Sequence, residues 1–198
     1  MNTDSSDYQI LMNAVKQVQS IDGLTCEIGV REGGGTKCIL DAMVSTNQHK
    51  VHIAIDPFGN IPYKSWEVNV NRLDYTNQMK NGMLKNLYAY CEKYHVECLF
   101  FPLEDTEFFK RYSEGVPIYD QEKKIVNQYA LVFIDGPHTS QVVKDEFDFF
   151  KDKIPVGGYI VFDDMPQYDH MTTLDPYIRQ HQFRIYEKTE QKISYVKE

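Results

Sequence analysis

The sequence predicts an α/β fold: a doubly wound, mostly parallel sheet of seven strands, with helices on both faces and an antiparallel hairpin at its end. Three observations predict this fold. Apolar runs of strand length recur along the chain, and segments with helical periodicity separate them. The final segment, "FRIYEKTEQKISYV", contains two strand-like runs joined by a polar turn.

Five apolar runs are predicted to be the parallel strands. Their residues are apolar almost without interruption, which is typical of strands that helices cover on both faces. In chain order the runs are "LTCEIGV", "VHIAID" (51–56), "VECLFFP" (96–102), "ALVFID" and "YIVFDD" (159–164). The terminal hairpin brings the total to seven strands, and right-handed crossovers are expected between the parallel ones.

Helices are predicted in the gaps between the strands. They are 7–19; "KCILDAMV", with Thr36 expected as its N-cap; about 74–94; "QVVKDEFDFF", with Thr139 or Ser140 as its cap; and "PYIRQH", with Pro176 in its first turn. The chain has 198 residues, a length that suits one domain with a real core. We therefore expect a single domain over 1–198, with an N-terminal helix in 1–22 and the core in 23–198.

The composition argues against several classes of partner. The chain has 21 Lys and Arg residues against 29 Asp and Glu residues, a net charge of −8. So acidic a protein is not expected to bind nucleic acid or an anionic membrane surface. No apolar run approaches the roughly 20 residues that a membrane span needs, and the polar start "MNTDSSDYQI" is unlike a signal peptide. The four cysteines form no CxxC pair, so we expect packed thiols in a reducing cytoplasm.

The strand "ALVFID" ends in an acid, Asp135, and the chain continues with Gly136, Pro137 and His138. Burying charge is costly, so a carboxylate and an imidazole at the end of a core strand need an explanation. In doubly wound sheets, ligands bind outside the carboxyl ends of the strands, near the switch in strand order. We therefore expect a ligand site at this strand end.

A glycine-rich turn follows the first strand. In "CEIGVREGGGT", Glu27 precedes Gly29 and Gly33 in the spacing E-x-G-x-x-x-G, which differs from the G-x-G-x-x-G of dinucleotide-binding folds. An acid at this place would repel a pyrophosphate and suit a positively charged ligand, such as an amino group or a sulfonium. Asp56 ends the second strand, where a carboxylate can accept hydrogen bonds from ribose hydroxyls. The alternative is structural: the glycines make a tight turn and Asp56 caps a loop.

These residues resemble those of class I S-adenosylmethionine-dependent methyltransferases, which have a Rossmann-like sheet. The resemblance spans roughly Leu24 to the end of the chain. It implies a single methyltransferase domain with S-adenosylmethionine as its cofactor. It also implies that the turn with Glu27, Gly29 and Gly33 passes the methionine moiety, and that Asp56 holds the ribose.

In the same family, an acid or polar residue after the third strand often contacts the adenine. Glu104 or Asp105, in "PLEDTEFF", stands at that place here. The alternative is that Asp105 or Thr106 only caps the following helix. Asp135 at the end of the fourth strand is expected beside the cofactor as well.

The fifth strand ends in two further acids, Asp163 and Asp164. If this strand neighbours the fourth, their backbones lie about 4.8 Å apart, so both acids would crowd Asp135 and raise its pKa. A hard divalent cation relieves such repulsion, and Mg²⁺ prefers oxygen ligands. Asp169 and His170 are alternative ligands, and the structural alternative is that the two adjacent acids only cap the next helix.

The pattern D-G-x-H followed by G-G-x-x-x-F-D-D resembles one branch of the family, the macrocin-type sugar O-methyltransferases and cephalosporin hydroxylase-like proteins. It implies that Asp135, Asp163 and Asp164 bind Mg²⁺ and that His138 is the general base; the structural alternative is that His138 only hydrogen-bonds its own loop. Many members of that branch have Glu-Asp where this chain has Asp163-Asp164. The implied reaction is Mg²⁺-assisted methyl transfer to a hydroxyl of a small molecule, a sugar or another vicinal diol. A homo-oligomer stays open.

Two other functions stay open. One is a non-catalytic S-adenosylmethionine-binding protein, or a subunit that needs a partner chain, because only about 20 residues precede the first strand. The other is a nicotinamide-dependent oxidoreductase, against which the glycine spacing counts. The insertion at 57–73 could place Tyr63 and Trp66 beside a pocket or against the core, and the insertion at 113–128 has no assigned role.

Overall fold

The computed structural model describes residues 1, 6–64 and 71–198, and for 61–64 and 71–74 it describes the backbone alone. The strands are β1 (Leu24–Ile28), β2 (Val51–Ile55), β3 (Ile61–Lys64), β4 (Asn71–Tyr75), β5 (Glu97–Phe101), β6 (Val116–Asp120), β7 (Glu122–Val126), β8 (Tyr129–Ile134), β9 (Tyr159–Phe162), β10 (Phe183–Lys188) and β11 (Ile193–Lys197). The helices are α1 (Tyr8–Gln17), α2 (Gly34–Ser45), α3 (Asn77–Tyr94), α4 (Asp105–Arg111), α5 (Ser140–Phe150), a 3-10 helix (Met165–Tyr168), α6 (His170–Thr173) and α7 (Asp175–Gln180).

Seven of the strands form one sheet in the order β10-β11-β9-β8-β1-β2-β5. The neighbours from β9 to β5 are parallel, whereas β11 is antiparallel to both β9 and β10. This arrangement confirms the predicted fold class. The strand order reverses at β1, which lies between β2 and β8, so the crevice where doubly wound sheets bind ligands is at the carboxyl ends of these strands.

Both faces of the sheet are covered, which explains the nearly continuous apolar runs. Phe133 and Val161 pack in one cluster with residues of α1 and α2. Their neighbours Val132 and Ile160 point to the opposite face and pack with residues of α5. Every residue of β8 is buried as a result.

The helix ends confirm one predicted cap and correct two boundaries. Thr139 caps α5, accepting the N–H of Val142 at 3.4 Å. Thr36 is not a cap, because its hydroxyl donates to a buried carboxylate while Gly33 occupies the N-cap of α2. Helix α3 begins later than predicted because 71–75 form β4, and Thr76 caps it.

The two insertions of unassigned role contain antiparallel hairpins. Strands β3 and β4 pair in the first, and β6 and β7 in the second. Trp66 and the side chain of Tyr63 lie outside the described residues, so the prediction for them remains a prediction. None of the helices in the described ranges combines the length and the apolar character that crossing a bilayer requires.

Candidate active site

Three polar side chains meet where β8 and β9 end. Asp135, His138 and Asp164 each offer a ligand atom, and these atoms lie within 4.8 Å of one another. His138 Nε2 is 3.2 Å from Asp164 Oδ2 and 4.0 Å from Asp135 Oδ1. The parallel ladder brings the two acids together, since β8 and β9 are neighbours in register up to Ile134 and Phe162. The structure thus places two of the three predicted metal ligands and the predicted base in one group.

The electrostatics of this group disfavour two carboxylates without a cation. Burial raises the pKa of Asp135 well above its usual range, and repulsion from Asp163 and Glu27 adds to the effect. Burial also raises the pKa of Asp164, although His138 opposes the rise. Mg²⁺ is typically bound by one or two carboxylates and completes its shell with water or substrate oxygens, so Asp135 and Asp164 fit the metal that the sequence implied and leave the imidazole free for another role.

The imidazole of His138 has a defined orientation. Its ring lies parallel to that of Tyr168, with 6.3 Å between the centroids and 15° between the planes. Tyr168 is buried, and its hydroxyl donates to the backbone carbonyl of Asp163 at 2.9 Å. Tyr168, in the 3-10 helix after β9, therefore packs against one face of the His138 ring.

Asp163, the third predicted ligand, has another partner. Its side chain is 1% exposed, and both of its carboxylate oxygens lie 2.8 Å from Nζ of Lys192, which is fully buried. Side chains along a strand alternate between its two faces, so Asp163 lies on the same face of the sheet as Val161, the face that α1 covers. The side chain of Asp164 points to His138 instead. Asp163 thus differs from the other two predicted ligands in lying outside the group, and its role as a metal ligand stays a prediction.

The alternative ligands are also excluded from this group. His170 is fully buried, its Nε2 lies 3.0 Å from the hydroxyl of Tyr195, and burial lowers its pKa to about 3. The hydroxyl of Tyr195 in turn donates to Asp175 at 2.9 Å. His170 is thus a neutral residue of the packed interior, and Asp169 is exposed with a φ of 49°.

The glycine turn is explained by contacts within the chain. A Cβ on Gly29 would lie 1.9 Å from the carbonyl oxygen of Asp135, so only glycine lets the ends of β1 and β8 approach this closely. A Cβ on Gly35 would lie 2.1 Å from Oε1 of Glu27. Gly33 has a φ of 81°, and a Cβ there would lie 3.2 Å from side-chain carbons of both Met1 and Met83.

Glu27 is buried beneath the first turn of α2. It accepts a hydrogen bond from the hydroxyl of Thr36, and its Oε2 lies 3.8 Å from Nε2 of His52. The other ring nitrogen of His52, Nδ1, lies 3.0 Å from Oγ1 of Thr25. Burial raises the pKa of Glu27, and the nearby His52 and Thr36 lower it. Its carboxylate is 1% exposed, so the structure places it under the turn rather than in an open crevice.

Asp56 closes the glycine turn onto the end of β2. Its Oδ2 accepts the backbone N–H groups of Val30 and Arg31, both at 2.9 Å, and its Oδ1 accepts that of Phe58 at 3.2 Å. Burial raises its pKa to about 6 against the effect of these donors. Its side chain is 2% exposed, so these three backbone donors account for most of its surroundings.

The acids after β5 lie at the start of α4. Glu104 is exposed at the N-cap, and Asp105 is half-buried in the first turn. Burial raises the pKa of Asp105.

A third acid, Glu146, was missed in the sequence although it interrupts the apolar stripe of α5. It is fully buried below the loop after β8, 2.9 Å from where a Cβ of Gly136 would stand, and burial and Asp105 raise its pKa well above its usual range.

Comparisons with known proteins identify the family to which the chain is similar. The family model described as "Methyltransferase domain" matches residues 26–165. Protein R132 of Acanthamoeba polyphaga mimivirus is 28% identical over 161 residues, which are 81% of this chain and 60% of that protein. This chain therefore spans less than two thirds of that relative's length.

Solved structures share the fold at low sequence identity. One is apo CalS11, a TDP-rhamnose 3'-O-methyltransferase in calicheamicin biosynthesis, with a TM-score of 0.63 and 13% identity over 94% of this chain and 77% of that one. Another is the SAH-bound Podospora anserina methyltransferase PaMTH1, with a TM-score of 0.55 and 12% identity over 98% of this chain and 80% of that one. With the family model covering more than half of its length, the chain belongs to the methyltransferase domain family.

Proposed function

We propose that this protein is an S-adenosylmethionine-dependent, Mg²⁺-assisted O-methyltransferase that acts on a hydroxyl of a small molecule, a sugar or another vicinal diol. The observation that carries the proposal is the group of Asp135, His138 and Asp164 at the ends of two parallel strands. Membership of the methyltransferase domain family supports the transfer of a methyl group. The sugar O-methyltransferase CalS11 among the structural neighbours is consistent with a hydroxyl acceptor.

The carboxylates of Asp135 and Asp164 are the proposed metal ligands. They lie on neighbouring strand ends, and their side chains are 21% and 27% exposed, so an acceptor can reach them from solvent. When bound, Mg²⁺ supplies Lewis acidity that lowers the pKa of an acceptor hydroxyl and aligns two adjacent oxygens. A pair of vicinal hydroxyls fits that requirement better than a single one.

His138 is the proposed general base. Its Nε2 faces both carboxylates, and it would accept the proton that the acceptor hydroxyl loses. The imidazolium that results would lie 3.2 Å from Oδ2 of Asp164, which stabilises the positive charge. Its stacking on Tyr168 holds the ring in place, so little reorganisation is needed when the proton moves.

The cofactor is proposed to lie over the ends of β1 and β2. S-adenosylmethionine supplies a methyl group that its sulfonium already activates. Asp56, which fixes the turn at Val30 and Arg31, is the proposed partner of a ribose hydroxyl. Asp105, with its half-buried carboxylate at the start of α4, is the proposed contact for the adenine amino group.

A methyl-transfer assay tests the proposal directly. Purified protein is incubated with S-adenosylmethionine, MgCl₂ and a panel of sugars and catechols, with matched monohydroxy compounds as controls, and products are identified by mass spectrometry. We expect methylation of a vicinal diol that chelator abolishes and Mg²⁺ restores. Unchanged transfer in chelator would contradict the metal role.

The same samples distinguish the two other functions. Calorimetry with S-adenosylhomocysteine that shows binding, together with no turnover on the panel, would favour a non-catalytic binding protein. Tighter binding of NADH than of S-adenosylmethionine would instead revive an oxidoreductase.

A further inference from the structure

Lys192 is buried in a place where a lysine needs an explanation. It lies in the turn between β10 and β11, its side chain is 0% exposed, and its Nζ is 2.8 Å from both oxygens of Asp163. A buried ion pair loses about as much solvation as it gains in attraction, so stability alone does not explain it. The pair lies directly beside the candidate active site, because Asp163 precedes Asp164.

The pair is connected to the active site through the backbone. The N–H of Asp164 donates to Oδ1 of Asp163 at 2.7 Å. Asp164 has a φ of 47°, in the left-handed region that residues other than glycine seldom adopt. This conformation sends consecutive side chains in different directions: Asp163 towards Lys192, and Asp164 towards His138.

Lys192 holds its own position through further contacts. Its Nζ donates to the backbone carbonyl of Ser6 at 2.7 Å and lies 4.6 Å from the ring centroid of Tyr8. The ring of Tyr8 packs edge-on against Phe133 in β8. The ammonium group is therefore fixed by the sheet and by the start of α1, and Asp163 has a rigid partner.

We propose that Lys192 and Asp163 form a positioning pair for the active site. Lys192 balances the buried carboxylate charge of Asp163, Asp163 holds the N–H of Asp164, and Asp164 is thereby kept in the left-handed conformation that aims its carboxylate at His138 and Asp135. Lys192 also balances the charge of Asp163, which leaves the carboxylates of Asp135 and Asp164 facing the cation site. The inference rests on the proposed function for its consequence in catalysis, whereas the orientation of Asp164 can be measured without catalysis.

Two double variants with the same net charge test this inference. Lys192→Met/Asp163→Ala removes the pair and the acceptor for the N–H of Asp164. Lys192→Met/Asp163→Asn removes the same charges but keeps a side-chain oxygen at that place. Neither variant leaves an unpaired charge in the interior, which is the usual reason that single changes in a buried pair unfold a protein. Lys197→Met, in β11, is the matched control for losing a lysine from the same hairpin.

The first readout is Mn²⁺ binding, followed by the paramagnetic resonance of the free ion, on protein without cofactor. We expect Lys192→Met/Asp163→Ala to bind Mn²⁺ at least about tenfold more weakly, as removal of groups that orient metal ligands typically does. Lys192→Met/Asp163→Asn and Lys197→Met should stay within about threefold of the parent protein. S-adenosylhomocysteine affinity should be unchanged in all three, which a general loss of structure would not allow.

The second readout needs no metal. The ring ¹⁵N shifts of His138 report its contact with Asp164, and we expect them to move in Lys192→Met/Asp163→Ala but not in Lys192→Met/Asp163→Asn. If the parent protein binds no Mn²⁺, the proposed metal function fails while this readout still decides the positioning. Wild-type shifts and Mn²⁺ affinity in a folded Lys192→Met/Asp163→Ala protein would overturn the inference. So would equal losses in both double variants accompanied by loss of S-adenosylhomocysteine binding.

Discussion

Asp148 on α5 and the pair of Asp135 and Asp164 at the strand ends have similarly exposed side chains, at 30%, 21% and 27%. Their pKa values nevertheless move in opposite directions. Burial acts to raise the pKa of Asp148, but hydrogen bonds from Lys144, Lys151 and Tyr177 lower it to about 2. The pKa values of Asp135 and Asp164 are raised chiefly by burial; neighbouring acids add to the rise, and His138 opposes it at Asp164 without reversing it.

The difference lies in the partners that the chain itself provides. Two ammonium groups lie 2.7 Å and 2.6 Å from the oxygens of Asp148, so its charge is balanced within the fold. At the strand ends, the nearby ammonium of Lys192 is bound to Asp163, and Asp135 and Asp164 share the imidazole of His138. A carboxylate with its own cations is a structural feature, whereas a pair that repels is suited to a cation from solution.

The strongest test of this comparison replaces one acid at the strand ends and one acid on α5 with asparagine. In Asp164→Asn the cation loses a charged ligand, so we expect Mg²⁺ binding by calorimetry to be lost and methyl transfer to fall by about 10³-fold or more. Asp148→Asn is the matched control and should bind Mg²⁺ as the parent protein does. Equal Mg²⁺ affinity in the two variants would show that the strand-end pair is not a metal site.

His138 sharpens the comparison, since it could serve as a base or as a third ligand. As a base it contributes no metal affinity, so His138→Ala should lower the rate of methyl transfer by about 10²-fold while Mg²⁺ affinity is retained. The control for losing a histidine is His181→Gln, because the ring of His181 packs on Tyr177 and Phe147, away from the candidate site. A joint loss of Mg²⁺ affinity and rate in His138→Ala would assign the imidazole to the cation instead.

Asp56 is a third kind of acid, since backbone N–H groups rather than cations face it. Asparagine supplies one acceptor oxygen in place of two, so Asp56→Asn should weaken S-adenosylhomocysteine binding about tenfold. In the parent protein the pKa of about 6 predicts weaker binding as pH falls below 6, because the protonated carboxyl loses acceptor capacity. Calorimetry between pH 5 and pH 8 checks both, and the same pH dependence in Asp56→Asn would refute the role of Asp56.

Much of the fold and part of the site followed from local sequence patterns. Uninterrupted apolar runs that end in acids predicted β8 and β9, and parallel neighbours then required Asp135 and Asp164 to meet. The turn between β6 and β7 has Gln121 at a φ of 55°, without the glycine or asparagine that signals such a hairpin. Its strands were missed for that reason.

The partner of Asp163 could not have been predicted from the sequence. Lys192 stands in "TEQKIS", a polar turn in which a lysine is expected to face water. Its burial depends on how the terminal hairpin packs beside β9 and α1, which is set by tertiary contacts 29 residues away from Asp163. Thr36 was misassigned for a related reason, because its hydroxyl serves the buried Glu27 and not the helix end.

The smallest expected effect concerns Asp148 and leaves activity unchanged. Its pKa in the folded protein is below its usual value, so its contribution to stability is present above the unfolded pKa and is lost as pH falls through about 2. We expect Asp148→Asn to lower the free energy of unfolding by about 1–2 kcal/mol at pH 7, and by less as pH drops from 4 towards 2. Urea denaturation at a series of pH values measures this. Asp145→Asn, on the same helix, is the control: its carboxylate accepts an exposed hydrogen bond from Gln141, so the change should alter the unfolding free energy little at any pH. An Asp148→Asn protein as stable as the parent at pH 7 would mean that the lysines and Tyr177 do not balance its charge.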